Sequence, residues 1–217
     1  MPKFPAMLLA ATCFATPAGA TVVYNNGAPS PPSGNETTGW VQAEDFNFAA
    51  ATDLRGAGVY LAGLDGIGAW DGSFSYYLFA NSAGAPGVLL TSGNVSPTVS
   101  DTGLPWCCGG NHHLFAFDFG STFAAAAGTT YWLGIHASSN FDQDNLYWVS
   151  TLPNATGTGH ESPGGTFDNW ANNSGQHAFY LTAIPEVETW AMMLLGFGAT
   201  GIAIRRSRRG GLVARRF

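Results

Sequence analysis

Residues 114–119 read LFAFDF, and residues 128–135 read GTTYWLGI. In the first stretch Phe115, Phe117 and Phe119 alternate with other residues, so an extended chain places all three rings on one face. Alternation of this kind over aromatic and β-branched residues is typical of strands that cover a core. These two stretches therefore predict an all-β fold.

The second stretch repeats the pattern, with Tyr131, Leu133 and Ile135 on one face and Trp132 and His136 on the other. Similar short apolar runs, separated by turn residues, occur throughout the middle of the chain. Eight runs at this spacing predict one antiparallel two-sheet sandwich, jelly-roll-like, over residues 40–183. Residues 21–39 are rich in Pro, Gly, Ser and Asn and are predicted to be a flexible lead-in. The predicted strands are residues 40–48, 55–64, 74–80, 88–95, 114–119, 130–137, 146–151 and 177–182.

The composition excludes two classes of protein. Charged residues make up 10% of the chain and aromatic residues 13%, which is the opposite of a disordered composition. The formal net charge is −6, and residues 21–183 contain twelve acids and one base, Arg55, for a net charge of −11. Nucleic-acid binding needs a basic face, so this protein is not expected to bind nucleic acid.

Residues 1–20 have the three parts of a secretory signal peptide. Lys3 supplies the positive charge, residues 6–15 are apolar, and residues 18–20 (AGA) fit the small-residue cleavage pattern. Removal after Ala20 would deliver the rest of the chain outside the cytoplasm. The alternatives are a buried N-terminal helix and a lipoprotein signal that ends at Cys13.

Residues 190–204 (WAMMLLGFGATGIAI) carry no charge and predict a short transmembrane helix. A helix of this length spans about 22 Å, less than the ~30 Å hydrocarbon core. Interfacial side chains compensate for the missing length: Trp190 lies at one membrane interface, and the arginines from Arg205 onward extend to the other. The arginine cluster, 205–209, and the basic tail, 210–217, stay cytoplasmic under the positive-inside rule. The alternative is a buried core helix with a basic tail.

The segment 184–209 (IPEVETWAMMLLGFGATGIAIRRSRR) resembles the PEP-CTERM sorting signal in its PEPxxWA variant. Val187 stands where the second proline is usual. The resemblance implies processing by a membrane-embedded transpeptidase, exosortase, in a Gram-negative bacterium that makes exopolysaccharide. It also implies a passing stay in the inner membrane before release to the cell surface or extracellular matrix. The run from AEDFNF to GTTYWLGI resembles uncharacterised β-sandwich ectodomains that accompany this signal. The positions that match the sorting motif are Pro185, Glu186, Trp190, Arg205 and Arg206.

The mature domain keeps two cysteines, Cys107 and Cys108, which are adjacent. Export favours oxidation, so a vicinal disulfide is predicted, with reduced thiols or an intermolecular bridge as alternatives. Residues 107–113 (CCGGNHH) also carry the ligand types of zinc or copper. Their spacing is poor for one ion, because adjacent histidines in an extended chain point to opposite faces.

Asp142, Asp144 and Asn145 group two carboxylates and an amide in one turn, which suits a calcium ion. A bound cation would also offset the charge of −11. The alternative is a solvated surface turn, and the segment 65–71 is a weaker calcium candidate. The sequence predicts no other cofactor.

Trp170, in a segment rich in Asn and Asp, and Trp106, just before the cysteines, are candidates for stacking on sugar rings. The alternative is that these indoles fill the core. The sequence has no G-x-S-x-G or H-E-x-x-H motif, so no enzymatic activity is predicted. The leading expectation is a non-catalytic surface or matrix protein. The alternatives are a carbohydrate-binding module for exopolysaccharide and a polysaccharide-acting hydrolase.

Overall fold

A computed structural model describes residues 20–30, 33–64, 66–152, 159–183 and 197–198. These residues form two antiparallel β-sheets in a sandwich-like arrangement, so the predicted all-β, two-sheet class is confirmed. The strands are β1 (Thr21–Asn25), β2 (Gly34–Glu36), β3 (Trp40–Phe46), β4 (Thr52–Gly63), β5 (Ser75–Ser82), β6 (Ala85–Asn94), β7 (Thr98–Pro105), β8 (Asn111–Ala125), β9 (Tyr131–His136), β10 (Leu146–Val149), β11 (His160–Pro163), β12 (Ala171–Asn172) and β13 (Phe179–Ala183).

The first sheet is built around β4. One edge of β4 pairs with β13 and then with β10, while its other edge pairs with β8. Strands β1, β2 and β7 extend this sheet beyond β13, β10 and β8. The second sheet has the order β12-β11-β3-β9-β5-β6. The chain therefore passes between the sheets repeatedly, for example from β3 to β4 and from β4 to β5.

The core lies between the two sheets. Phe115, Phe117 and Phe119 of β8 are buried there, as their shared face predicted. They contact Phe74 and Tyr76 of the opposite sheet, with ring centroids 4.8–5.9 Å apart. Full burial of one such side chain stabilises a protein by about 1.5–3 kcal/mol. These aromatic contacts hold the two layers together.

Each sheet also has a small apolar cluster on its outer face. Trp132 packs with Ala43 and Phe79 outside the second sheet, where Phe167 and Trp170 partly cover it. A similar cluster outside the first sheet contains Trp106, Ala62 and Val149. Loops on both sides therefore add a layer over the sandwich.

Two strands lie in the segment 21–39, and this corrects the prediction of a flexible lead-in. Strand β1 pairs with β13, from Thr21 opposite Ala183 to Asn25 opposite Tyr180. Its one aromatic residue, Tyr24, packs on the core beside Phe179. Strand β2 pairs with β10. These strands form through backbone hydrogen bonds to the edge of an existing sheet, so their sequences need no long apolar pattern and do not predict them.

Candidate functional site

A groove opens at one end of the second sheet, where three strands end side by side. Ser75 at the start of β5 pairs with His136 at the end of β9 and with Asn94 at the end of β6. The loop after β9 closes one side and leaves a cavity of about 490 Å³. The lining is uncharged apart from the titratable His136, and it combines hydroxyl, amide and aromatic groups from Ser73, Ser75, Tyr77, Asn94, Ser138 and Phe141, among others.

Phe141 is an exposed apolar residue of this groove. Its ring stacks on the ring of His136, with centroids 4.1 Å apart and an interplanar angle of 22°. His136 is buried, and its Nε2 lies 2.8 Å from the carbonyl oxygen of Thr38. Burial lowers the pKa of His136 from its ordinary value, so the ring is neutral at neutral pH and donates this bond. Phe141 itself is 41% exposed, so part of its ring is accessible to a ligand.

Asp71 joins two walls of the groove. Its carboxylate accepts hydrogen bonds from the backbone N–H of Ser73, at 2.7 Å, and of Ser139, at 2.8 Å. Desolvation by burial would raise its pKa, but these bonds outweigh it and lower the pKa to about 2. The carboxylate is therefore ionised throughout the physiological range and can hold both hydrogen bonds there.

The predicted calcium loop lies at the same end of the sandwich. Asp144 donates its backbone N–H to Thr38 Oγ1 at 2.7 Å, and its carboxylate accepts a long bond from Ser138. Asp142 is exposed, while Asn145 adopts a φ of 58° and accepts a hydrogen bond from the hydroxyl of Tyr147. Among the described residues, no group of three or more His, Cys, Asp or Glu side chains is arranged to hold a metal. Asp65 of the weaker candidate lies outside the described residues.

The turn from Glu36 to Gly39 anchors this end of the molecule and was not predicted from the sequence. The carboxylate of Glu36 accepts bonds from the backbone and hydroxyl of Thr38 and from the backbone of Gly39. Thr38 in turn contacts both His136 and Asp144. The pattern E-T-T-G, a carboxylate followed by hydroxyl residues and a glycine, is the one signal that could have indicated it.

The tryptophan candidates are less open than predicted. Trp106 is only 7% exposed, so the protein's own side chains cover its ring faces. Trp170 is partly buried and stacks on Phe167, with an interplanar angle of 11°. Phe167 has a φ of 56°, a strained value for a bulky residue. Phe141 in the groove is therefore more exposed than either tryptophan.

The two cysteines lie in the short loop between β7 and β8. Their sulfur atoms are joined as a disulfide, and both residues are exposed at the surface. His112 is buried, whereas His113 is partly exposed and its Nδ1 lies 3.0 Å from the carbonyl oxygen of Asn111. This loop lies on the first sheet.

A buried polar cluster inside the sandwich was not predicted either. The imidazole of His177 lies 2.8 Å from a carboxylate oxygen of Glu44 and 3.1 Å from the side-chain oxygen of Asn35, and Trp148 stacks on its ring. His177 and Glu44 are fully buried. A side chain at either neighbouring glycine, Gly159 or Gly175, would contact the imidazole, so glycine backbone closes the site. The cluster therefore has the geometry of a structural hydrogen-bond network.

Pro185, Glu186, Trp190, Arg205 and Arg206 of the sorting segment lie outside the described residues, as do residues 1–19 of the predicted signal peptide. In the part of the chain that the structure describes, no helix is long and apolar enough to cross a bilayer. No protein-family model matches the chain, and no curated protein or solved structure is detectably similar to it.

Proposed function

We propose that this chain is an exported, non-catalytic β-sandwich protein of the cell surface or extracellular matrix. A signal peptide directs its export, and the segment 184–209 retains it in the inner membrane until an exosortase-type enzyme sorts it outward. The strongest support is the tripartite pattern of that segment. The charge distribution agrees with it, because the sandwich carries one base and the C-terminal segment carries a cluster of arginines.

The limits of the folded domain support the same proposal. Strand β1 begins at Thr21, directly after the predicted signal-peptide cleavage site, and β13 ends at Ala183, just before the sorting motif. These two residues are paired partners in one sheet. Both predicted processing sites therefore adjoin the same edge of the sandwich, and cutting at both would leave every strand among the described residues in place.

Fractionation of the native host tests this function. We expect the protein at the cell surface or in the matrix of the wild-type host, and in the inner membrane of a host that lacks exosortase. A matched control is a chain that lacks residues 184–217, which should not accumulate in the inner membrane of either host. An identical distribution with and without exosortase would overturn the sorting proposal.

We further propose a jelly-roll-like topology for the sandwich. The repeated passage of the chain between the two sheets supports it, since Greek-key connections of this kind are typical of jelly rolls.

A second candidate function is carbohydrate binding in the groove beside Phe141. An exposed aromatic ring can cover the apolar face of a sugar, while hydroxyl and amide groups bind its hydroxyls. Phe141, with Ser75 and Asn94 across the groove, has this arrangement. A neutral sugar fits best, because Asp71 and Asp142 lie close by and would repel an acidic one.

Binding of the host's neutral exopolysaccharide to the full chain tests this candidate, with release of reducing sugar assayed in the same samples. We expect Phe141→Ala to abolish binding and Leu104→Ala, an exposed apolar residue of the first sheet, to leave it unchanged. Sugar release by the wild type would favour the hydrolase instead. Equal binding by both variants would exclude the groove.

A further inference from the structure

The five-residue loop between β7 and β8 covers part of the first sheet. Pro105 pairs with Asn111 at its base, and the N–H of Trp106 donates to the carbonyl of Gly110 at 3.1 Å. The disulfide between Cys107 and Cys108 lies at the tip and faces solvent.

His112 lies directly after this loop and has an unusual environment. It is 1% exposed, and neither ring nitrogen has a hydrogen-bond partner among the described residues. The indole nitrogen of Trp106 is also buried without a partner there. Trp106 packs on Ala62, on the outer face of the first sheet. Leu61 pairs with His113, so the next pair of positions along the two strands, Ala62 and His112, point to the same outer face. Two unsatisfied polar rings therefore lie on one outer face of the first sheet.

Buried polar atoms without partners favour any conformation that returns them to water. The loop itself keeps the closed conformation. Gly109 and Gly110 have φ values of 105° and 71° and rest against the backbone of Leu64 and Gly66, where a side chain would not fit. The disulfide restricts rotation of the peptide between the two cysteines and so limits the conformations open to this loop.

We propose that Cys107–Cys108 is a redox-modification site and that its reduction uncovers His112. A small dithiol attacks one exposed sulfur atom and breaks the S–S bond to give a mixed disulfide. The second thiol of the reagent then displaces the protein thiolate. The protein gains two electrons and two protons as two thiols, and the reagent leaves as its own disulfide. The relaxed loop lifts from the sheet, and the imidazole of His112 becomes accessible to solvent.

Histidine reactivity in the full chain tests this proposal. The oxidised protein and the protein treated with dithiothreitol are reacted with diethyl pyrocarbonate, and each histidine is quantified by mass spectrometry. We expect His112 to react about tenfold faster after reduction, because the open conformation of the loop would change from a minor to the major state. His136 and His177 lie in other parts of the sandwich and serve as internal controls, with unchanged rates.

The double variant Cys107→Ser, Cys108→Ser supplies the matched comparison. Its His112 should react at the fast rate without reductant and should not respond to dithiothreitol. Protection of His112 in both the reduced wild type and this variant would overturn the proposal. So would thiols that appear only when the chain unfolds, or a disulfide-linked dimer on a non-reducing gel. If the variant does not fold, the oxidised and reduced wild type still decide the question.

Discussion

Asp45 is a buried carboxyl group that works against the stability of the sandwich at neutral pH. One of its oxygens is buried without a hydrogen-bond partner among the described residues. Burial, and then the charge of Glu44, raise its pKa to about 6. The folded state therefore holds this proton more tightly than the unfolded state does. The resulting stabilisation is complete below the unfolded pKa of about 4, and it is lost as the pH rises through about 6.

Replacement of Asp45 by Asn should remove this pH dependence. We expect the free energy of unfolding at neutral pH to rise by about 2 kcal/mol and to change little at about pH 4, because one pKa unit corresponds to about 1.4 kcal/mol. Urea unfolding of the full chain at both pH values provides the measurement. Asp53→Asn, at an exposed position on β4, is the control and should have no such effect. A variant less stable than wild type at neutral pH would contradict this account of Asp45.

Strand β4 is the element on which the first sheet depends, because it pairs with β8, β13 and β10. Gly56 lies at an irregularity in its register with β8, and a side chain there would collide with the carbonyl oxygen of Phe117. Backbone cannot move aside as a flexible side chain can. The close approach of these two strands therefore requires a glycine.

Gly56→Ala should destabilise the protein by about 1–3 kcal/mol, the usual cost of overpacking. Gly68→Ala is the matched control, since a side chain at Gly68 would meet nothing within 4 Å. That control should change the stability by less than about 0.5 kcal/mol. Thermal unfolding of the full chain measures both, and equal melting temperatures for the two variants would show that β4 and β8 can separate without cost.

The loop after β9 supplies a second prediction about a single element. We propose that Asp142 and Asp144 help to hold one Ca²⁺, with backbone carbonyls and water completing the ligands. Extracellular sites bind with dissociation constants of about 10⁻⁴–10⁻³ M. In about 1 mM calcium, which is one to ten times these constants, binding would add about 0.4–1.4 kcal/mol of stability, or a melting shift of a few degrees. Asn145 already accepts a bond from Tyr147, so it would have to exchange that partner for the ion.

Thermal unfolding in chelator and in millimolar calcium, with magnesium as the control, measures this effect. The double variant Asp142→Ala, Asp144→Ala should lose the calcium-specific shift. The same shift in this variant, or no shift in the wild type, would show that these residues form a solvated turn and not a calcium site.

The organisation of the complete chain predicts the mature product. Sandwich strands begin at Thr21 and end at Ala183, and the segments outside them are those that resemble targeting signals. We expect protein from the native host to begin at Thr21 and to lack the arginine cluster. Intact-mass measurement of that protein decides the matter. A stable, full-length tail in the inner membrane would instead point to Val187 as a block to processing.

The class of fold was predictable from local patterns. Phe115, Phe117 and Phe119 face the core because a strand alternates its side chains, whatever its neighbours are. The targeting expectations rest in the same way on short contiguous segments, and they remain predictions. The strands β1 and β2 were not predictable, because they exist through hydrogen bonds to β13 and β10, more than a hundred residues away.

The candidate groove also depends on contacts between remote residues and was not predictable from local patterns. Ser75 and Asn94 are distant in sequence from each other and from the nearby pair His136 and Phe141, and none of the four belongs to a recognisable motif. They meet because antiparallel pairing places the start of β5 between the end of β9 and the end of β6. Burial likewise depends on the fold, since Trp106 is covered while Phe141 is exposed, although both follow turn-forming or polar residues. Periodicity is a property of neighbouring residues, whereas pairing and burial depend on contacts between remote ones.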